Sequence, residues 1–216
     1  MNDPMIQLAV LGAIALFLIL RLRSLLGTRT GFEPGPEDAP AQKRANLEVI
    51  EGGIDRDIAD HVDLDSPSGQ ALTKMKKAEP SFSVGEFMNG AKQAYEMILM
   101  AFENGDQETL SQFLSKDVFD GFMTVIDDRQ EKGLMVNAEF VGLREIKLGD
   151  ASFNGRSKEA EITINFTGEL TSEVVDSDGK VIEGDRQTIK RQKDVWTFAR
   201  KMGSDDPNWQ LVATDG

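Results

Sequence analysis

The sequence predicts an α+β fold carried on an N-terminal transmembrane helix. Three observations predict it. The first residues form an apolar run, residues 82–133 carry helical periodicity in three stretches, and strand-like alternation follows to the end. The expected body is a cone-shaped domain, with three helices packed on one face of a curved antiparallel sheet of four to five strands.

The anchor comes first. Met5 to Leu20 is apolar apart from Gln7. At about 1.5 Å per residue this run falls slightly short of a hydrocarbon core of about 30 Å. Leu22, Leu25 and Leu26 extend it if Arg21 and Arg23 snorkel toward the headgroups. A cleaved signal peptide would open with basic residues and close with small ones, whereas this segment opens Asn2-Asp3-Pro4 and closes with arginines. A retained anchor over 1–26 is expected. Arg21, Arg23 and Arg29 follow the span and Asp3 precedes it, so the positive-inside rule puts the N-terminus outside and the body in the cytoplasm or an equivalent compartment.

Residues 27–79 read as an acidic tether containing Pro and Gly. Pro34, Pro36 and Pro40 make a stiff, solvated spacer. Ile50, Ile54, Ile58 and Val62 have helical spacing, which Gly52 and Gly53 weaken. Lys74, Lys76 and Lys77 stand beside Leu72 and Met75. That stretch has two readings, a short amphipathic helix touching an anionic membrane or a solvated turn before the body.

The body is expected over 80–216. Ser83 and Glu86 form a capping box, and Phe82 and Phe87 sit where a hydrophobic staple belongs. The first helix presents Phe87, Ala91, Ala94, Tyr95, Ile98 and Phe102 at three-to-four spacing. Gly90 and Ala94, one turn apart, permit close approach of another element. Asn104-Gly105 stops this helix, Asp106 caps a short second one, and Ser115 caps a third that ends near Lys132-Gly133. Strands are expected in "EFVGLREIKLG", "AEITINFTGEL", "QTIKRQKDVWTFARK" and "WQLVAT", with Asp178-Gly179 as a hairpin turn between "SEVV" and "KVIEG".

The composition excludes much chemistry. Net charge is -13, which repels a phosphate backbone, so nucleic acid is not an expected partner. With no cysteine there are no disulfides, thiolate metal sites or Cys nucleophiles, and His61 is the single histidine. No glycine-rich phosphate loop, zinc-protease motif or nucleophile elbow occurs. Acids gather at Asp127–Arg129 and Gly203–Asn208, as they will in so acidic a chain. Tyr95, the single tyrosine, falls among core positions. No catalytic residue, metal ligand or cofactor is assigned, and an enzyme is not expected.

The aromatics point to binding. Trp196, Phe198 and Arg200 share one face of a strand, with Ile162, Ile164 and Phe166 alternating on another. Together with Trp209 they are either closed core or the lining of a partly open apolar pocket.

The chain resembles the Tim44-like family, in particular its small membrane-anchored bacterial members. The resemblance runs from about Ala78 to Thr214, through "EPSFSVGEFMNGAKQAYEMILMAFENGDQETLSQFLSKDVFDGF", "GLREIKL", "DGKVIEGD" and above all "DVWTFARKMGSDDPNWQLVAT". It implies a cone related to the NTF2-like and cystatin-like folds, and an adaptor, not an enzyme. Mitochondrial members link the translocation channel to an Hsp70 motor and contact anionic lipid at the inner membrane. By that resemblance the expected partners are proteins of a translocation or membrane-protein complex, an Hsp70-type chaperone among them, and anionic lipid. The expected location is the bacterial inner membrane. The departure is at the N-terminus, where an anchor and a short spacer stand in place of a long chaperone- and channel-binding region. Two other readings stay open: a secretion-machinery scaffold of opposite topology, and an NTF2-like enzyme for a small hydrophobic substrate with a buried acid beside Tyr95.

Overall fold

The computed structural model describes residues 54–215. The expected membrane span, Arg21 and Arg23, and the expected proline-containing spacer lie outside the described residues. Among the described residues five helices precede four strands: α1 (Arg56–Ala59), α2 (Pro67–Ala78), α3 (Val84–Glu103), α4 (Gln107–Phe113), α5 (Lys116–Glu131), β1 (Met135–Phe153), β2 (Glu159–Val175), β3 (Val181–Lys201) and β4 (Gln210–Asp215). The strands form one antiparallel sheet in the order β1-β2-β3-β4, a meander. The α+β class and the three expected helices, α3 to α5, are therefore present, and α1 and α2 are additional. Among the described residues no helix is long and apolar enough to cross a membrane.

The caps are where the sequence puts them. Ser83 Oγ accepts the Glu86 N–H at 3.2 Å, Asp106 Oδ1 accepts that of Thr109 at 3.0 Å, and Ser115 Oγ accepts that of Val118 at 3.4 Å. Each side chain takes one of the donors that a helix start leaves without an intrahelical partner. On β2, Ala160, Ile162, Ile164 and Phe166 are buried while Glu161 and Asn165 are exposed, so one sheet face is covered and the other is wet. Gly179 sits in the β2–β3 hairpin at φ +78°, a conformation that glycine adopts without a Cβ clash.

The strands are longer than the sequence suggests. "EFVGLREIKLG" is only part of β1, and "KVIEG" and "QTIKRQKDVWTFARK" are one strand, β3. The reason is in the register. Pairing shifts between Phe140 and Gly142, between Leu143 and Glu145, and between Leu148 and Asp150 on β1, and between Leu170 and Ser172 on β2. Each irregularity breaks the two-residue period, so a continuous strand reads as fragments, and each bends the sheet over the helices.

The boundary expected at residue 80 falls inside the packed unit. Ile58 of α1 and Leu72 and Met75 of α2 are fully buried, with α2 packed on β1. Ser68 of α2 donates to Asp150 Oδ1 at 2.6 Å and accepts the Ala151 N–H at 3.1 Å, stitching α2 to β1. Residues 55–79 are thus the first layer of the body, not tether. Helices this short do not persist alone. Their apolar stripes are narrow, and only the sheet and α3 supply the surface that holds them.

Candidate functional site

α3 carries small residues along its first turns, and the loop from Gly203 to Asn208 faces them. Between the two lies an open groove of about 440 Å³, within the range of roughly 300–1,000 Å³ typical of ligand clefts. Gly90, Ala91 and Ala94 form its floor, so the sequence's small residues leave space instead of admitting another element. Trp209, just ahead of β4, forms one wall. Its ring centroid lies 4.7 Å from that of Phe87 and 5.9 Å from that of Phe82. Phe198 closes the inner end, 6.0 Å from Phe87 in an edge-on contact. The staple pair Phe82 and Phe87 therefore has a second role as groove wall.

Arg200 is the charged group of this site. Its side chain is 7% exposed, and Nη2 donates to Glu79 Oε1 at 2.5 Å. Glu79 Oε2 accepts the Gly203 N–H at 2.7 Å. Burial acts to raise the Glu79 pKa, but the Arg200 hydrogen bond and the Gly203 N–H outweigh it and hold the carboxyl below its usual range. Glu79 caps the end of α2, ahead of Pro80, which cannot continue a helix. The pair therefore ties α2 to the β3–β4 loop and fixes the groove wall. The Arg200 guanidinium also lies 5.4 Å from the Trp209 ring centroid, in cation–π range.

The seven residues that the sequence groups as one apolar site separate into two layers. Phe198, Arg200 and Trp209 line the groove. Trp196, Ile162, Ile164 and Phe166 are at most 2% exposed and form the core behind it. Antiparallel register explains the division: Arg200, Phe198 and Trp196 oppose Ala160, Ile162 and Ile164. Moving along β3 from Arg200 to Trp196 carries the chain from the mouth into the core.

Of the three lysines expected at a membrane, Lys74 and Lys77 are exposed. Lys76 is not available in the same way. Its Nζ lies 2.9 Å from Asp55 Oδ2 and 2.8 Å from Asp57 Oδ2, an ion-paired cluster that joins α2 to α1.

The core holds an acid that pattern reasoning did not single out. Tyr95 Oη donates to Asp194 Oδ2 at 2.6 Å, and Gln192 Nε2 donates to Asp194 Oδ1 at 3.0 Å. Asp194 is 3% exposed, and burial pushes its pKa up to about 6 against the two hydrogen bonds. Burial and the Asp194 charge push the Tyr95 hydroxyl up as well. A usable signal was present: Gln192 and Asp194 share the inward phase of Trp196 and Phe198. Neither Tyr95 nor Asp194 lines the groove. Tyr95 reaches this position because residue 168 is glycine, where an added Cβ would stand 2.5 Å from Tyr95 Oη. Gly168→Ala is expected to cost about 1–3 kcal/mol through overpacking. Thermal unfolding of the purified variant checks this.

A second buried pair lies at the far end of α3. Arg129 Nη1 donates to Glu103 Oε2 at 3.4 Å, and its guanidinium stacks 4.4 Å over the Phe102 ring. Burial raises the Glu103 pKa to about 8 although Arg129 opposes the shift. Of the acidic cluster "DDR", Asp127 is exposed and Asp128 pairs with Lys132 at 2.8 Å, while Arg129 turns inward. In "GSDDPN", Asp205 and Asp206 are exposed, and Asp206 Oδ1 accepts the Asn208 N–H at 3.0 Å. Among the described residues, no three or more His, Asp or Glu side chains are grouped to hold a metal ion.

Residues 68–216 match the Tim44-like domain. The chain is 24% identical over 153 residues to mitochondrial import inner membrane translocase subunit TIM44-1 of Arabidopsis thaliana. That match covers 68% of this chain and 32% of the relative, so it spans about a third of the relative's length. The intermembrane space region of the chloroplast protein ARC6, a solved crystal structure, aligns with a TM-score of 0.36 and 11% identity, over 67% of this chain and 94% of that one.

Proposed function

The chain belongs to the Tim44-like domain family, and from that premise we propose that it is a membrane-tethered adaptor in protein translocation or membrane-protein handling. The observation that carries this reading is the aromatic groove. It is half-open, apolar and braced by the Glu79–Arg200 pair, as suits a surface that receives part of another protein. The role is binding, not catalysis.

The N-terminal run over Met5–Leu20 serves as the anchor, and Arg21 and Arg23 hold the body on the cytoplasmic side of a bacterial inner membrane. Anchoring raises the local concentration of the groove at the bilayer, and the spacer sets its reach. Proteins of a translocation complex, an Hsp70-type chaperone among them, are the partners to seek. Of the three lysines at this position, Lys74 and Lys77 are exposed and free to meet an anionic surface.

The enzyme reading has one observation in its favour, the buried Asp194 beside Tyr95. A general acid or base must come within hydrogen-bond reach of its substrate, and this pair lies outside the groove lining.

Crosslinking in native membranes tests the adaptor reading. Trp209→Ala removes a half-buried groove wall that packs on Phe82 and Phe87, and its melting curve is recorded alongside. The expected result is several-fold lower recovery of specific crosslinked proteins, with the melting temperature within a few degrees of wild type. Identical partners at identical levels would overturn the groove's role. An active periplasm-only reporter at the C-terminus would overturn the orientation.

A further inference from the structure

We propose that the outer edge of β4 takes an extended, basic segment of a partner protein, which adds a strand to the sheet. This surface is separate from the aromatic groove, with no lining residue in common. β4 is an edge strand whose one strand neighbour is β3. In an antiparallel sheet, alternate residues of a strand aim their main-chain groups to opposite sides. Half of those of β4 therefore point away from the sheet. Leu211 shows the direction: its C=O accepts the Ser115 N–H at 2.9 Å, at the start of α5. Past Leu211, among the described residues, no main-chain hydrogen bond joins residues 212–215 to any element but β3.

The helix does not close over this edge. A cleft of about 360 Å³ lies between α5 and β4, with Val118, Phe122 and Val125 on one side and Ala213 and Thr214 on the other. Gly121 belongs to the helix wall, and a Cβ built there would meet nothing within 4 Å. Thr214 opposes Trp196, which is buried against Tyr95 of α3, so Thr214 shares the helix-covered face of the sheet. A strand laid along β4 would put every second side chain into the cleft and the others on the wet face.

The open main-chain groups select a strand. A hydrocarbon chain in the cleft would take N–H and C=O groups away from water and give them no partner. An extended peptide supplies both, and its alternate side chains supply specificity. Charge selects the sign. Asp117 is the charged residue of the lining and is exposed, and Asp215 is exposed at the end of β4. Lys116, next to Asp117 in sequence, is paired with Asp120. Lys or Arg at the ends of the incoming strand therefore meets carboxylates. A second copy of this chain would pair edge to edge about a two-fold axis and bring the same acids together.

The test uses the full chain in nanodiscs of zwitterionic lipid and three peptides. They are acetyl-Lys-Val-Thr-Val-Thr-Val-Lys-amide, the same peptide with both Lys replaced by Glu, and the basic peptide N-methylated at its central residues. N-methylation removes main-chain donors and leaves the side chains. Affinity is read by calorimetry, and amide exchange in β4 reports the place of binding. Gly121→Leu fills the cleft with a residue that favours a helix more than glycine does. Asp117→Asn removes the lining charge. Each variant is melted first, so a folding defect is not mistaken for a binding one. The basic peptide is expected to slow amide exchange in β4, and to lose about tenfold in affinity for Gly121→Leu and about threefold for Asp117→Asn. The acidic and N-methylated peptides are expected to bind wild type about tenfold more weakly or worse. Four results would each overturn the proposal: the acidic peptide or the N-methylated peptide binding as tightly as the basic one, affinity unchanged in Gly121→Leu, or no binding at millimolar concentration. Self-association of the peptide-free chain that Gly121→Leu abolishes would also overturn it, by giving the edge to a second copy. None of these decides the Trp209→Ala crosslinking result, so the groove reading stands or falls separately.

Discussion

Asp57→Ala is expected to destabilise the chain by about 2–4 kcal/mol, a large effect for a residue in what reads as tether. Asp57 is the bolt between α1, α2 and the start of α3. Its carboxylate lies 2.8 Å from Lys76 Nζ, accepts the N–H groups of Val84 and Gly85 at 2.8 Å each, and accepts the Ser83 hydroxyl at 3.0 Å. Those two N–H groups belong to the first turn of α3, so a side chain from another helix satisfies donors that would otherwise be orphaned. A negative charge there also faces the positive end of the helix dipole. Burial alone would raise the Asp57 pKa. The Lys76 bond and the backbone donors more than reverse that and bring it down to about 2 from 3.8.

The folded pKa lies below the unfolded one, so this stabilisation is complete above about pH 4 and is lost as pH falls toward 2. On its own the shift is worth on the order of 2 kcal/mol. Urea unfolding of wild type and Asp57→Ala from pH 7 to pH 2 tests both parts. The two chains should differ most at neutral pH and converge at the acid end. Phe82 and Phe87 flank the turn that Asp57 holds, so groove binding should weaken in parallel. If residues 55–79 were a solvated tether, the substitution would cost almost nothing.

That contrast shows where the sequence was legible. The helices α3, α4 and α5 were readable because each begins with its own cap, and Ser83, Asp106 and Ser115 signal locally. The covered face of β2 was readable because its two-residue period runs unbroken from Ala160 to Phe166. α2 carries a local signal too, since Ser66 caps it ahead of Pro67 and accepts the Gly69 N–H at 3.0 Å, but what packs α1 and α2 onto the body is distant in sequence: Asp57 reaches Val84 and Gly85, and Ser68 reaches Asp150 and Ala151. β1 was partly obscured because its irregularities erase the alternation.

The site was legible to the same degree. Phe198, Arg200 and Trp209 line the groove, as their aromatic and charged character suggests, but strand phase alone cannot tell groove lining from core. Trp196 has the same phase and lies behind them. Glu79, the partner that fixes Arg200, sits 121 residues away in sequence and carries no pattern that announces it. The resemblance to the family covered the body from about Ala78 and so began too late to include α2, which the Tim44-like match does include.

Asp194→Asn is expected to make the chain more pH-tolerant, gaining about 3 kcal/mol relative to wild type between pH 4 and pH 8. The wild-type carboxyl titrates at about 6 in the fold and near 3.8 when unfolded. A folded pKa above the unfolded one means that the native state holds its proton longer. The penalty therefore begins near pH 4, grows as pH rises, and is complete above about pH 6. The shift of about two units is what sets the figure of about 3 kcal/mol. Asparagine cannot ionise, so its variant lacks this penalty. It also changes the hydrogen bonding, since one Asp194 oxygen that accepted from Gln192 becomes a donor. That change is constant with pH and appears at pH 4 as a fixed offset, while ionisation appears only in the difference between pH 4 and pH 8. Glu103 also destabilises the fold as pH rises, toward a pKa of about 8, but it does so equally in both chains and cancels. Chemical unfolding at a series of pH values reads the difference directly. A stability gap that does not change from pH 4 to pH 8 would mean that Asp194 does not titrate in this window. The same variant separates the two roles open to the Tyr95–Asp194 pair. A structural acid yields a stability gap that shifts in favour of the variant from pH 4 to pH 8, with groove binding intact, since Asp194 is not among the groove-lining residues. An acid that served a bound ligand would show itself as lost binding at the pH where the fold had gained most.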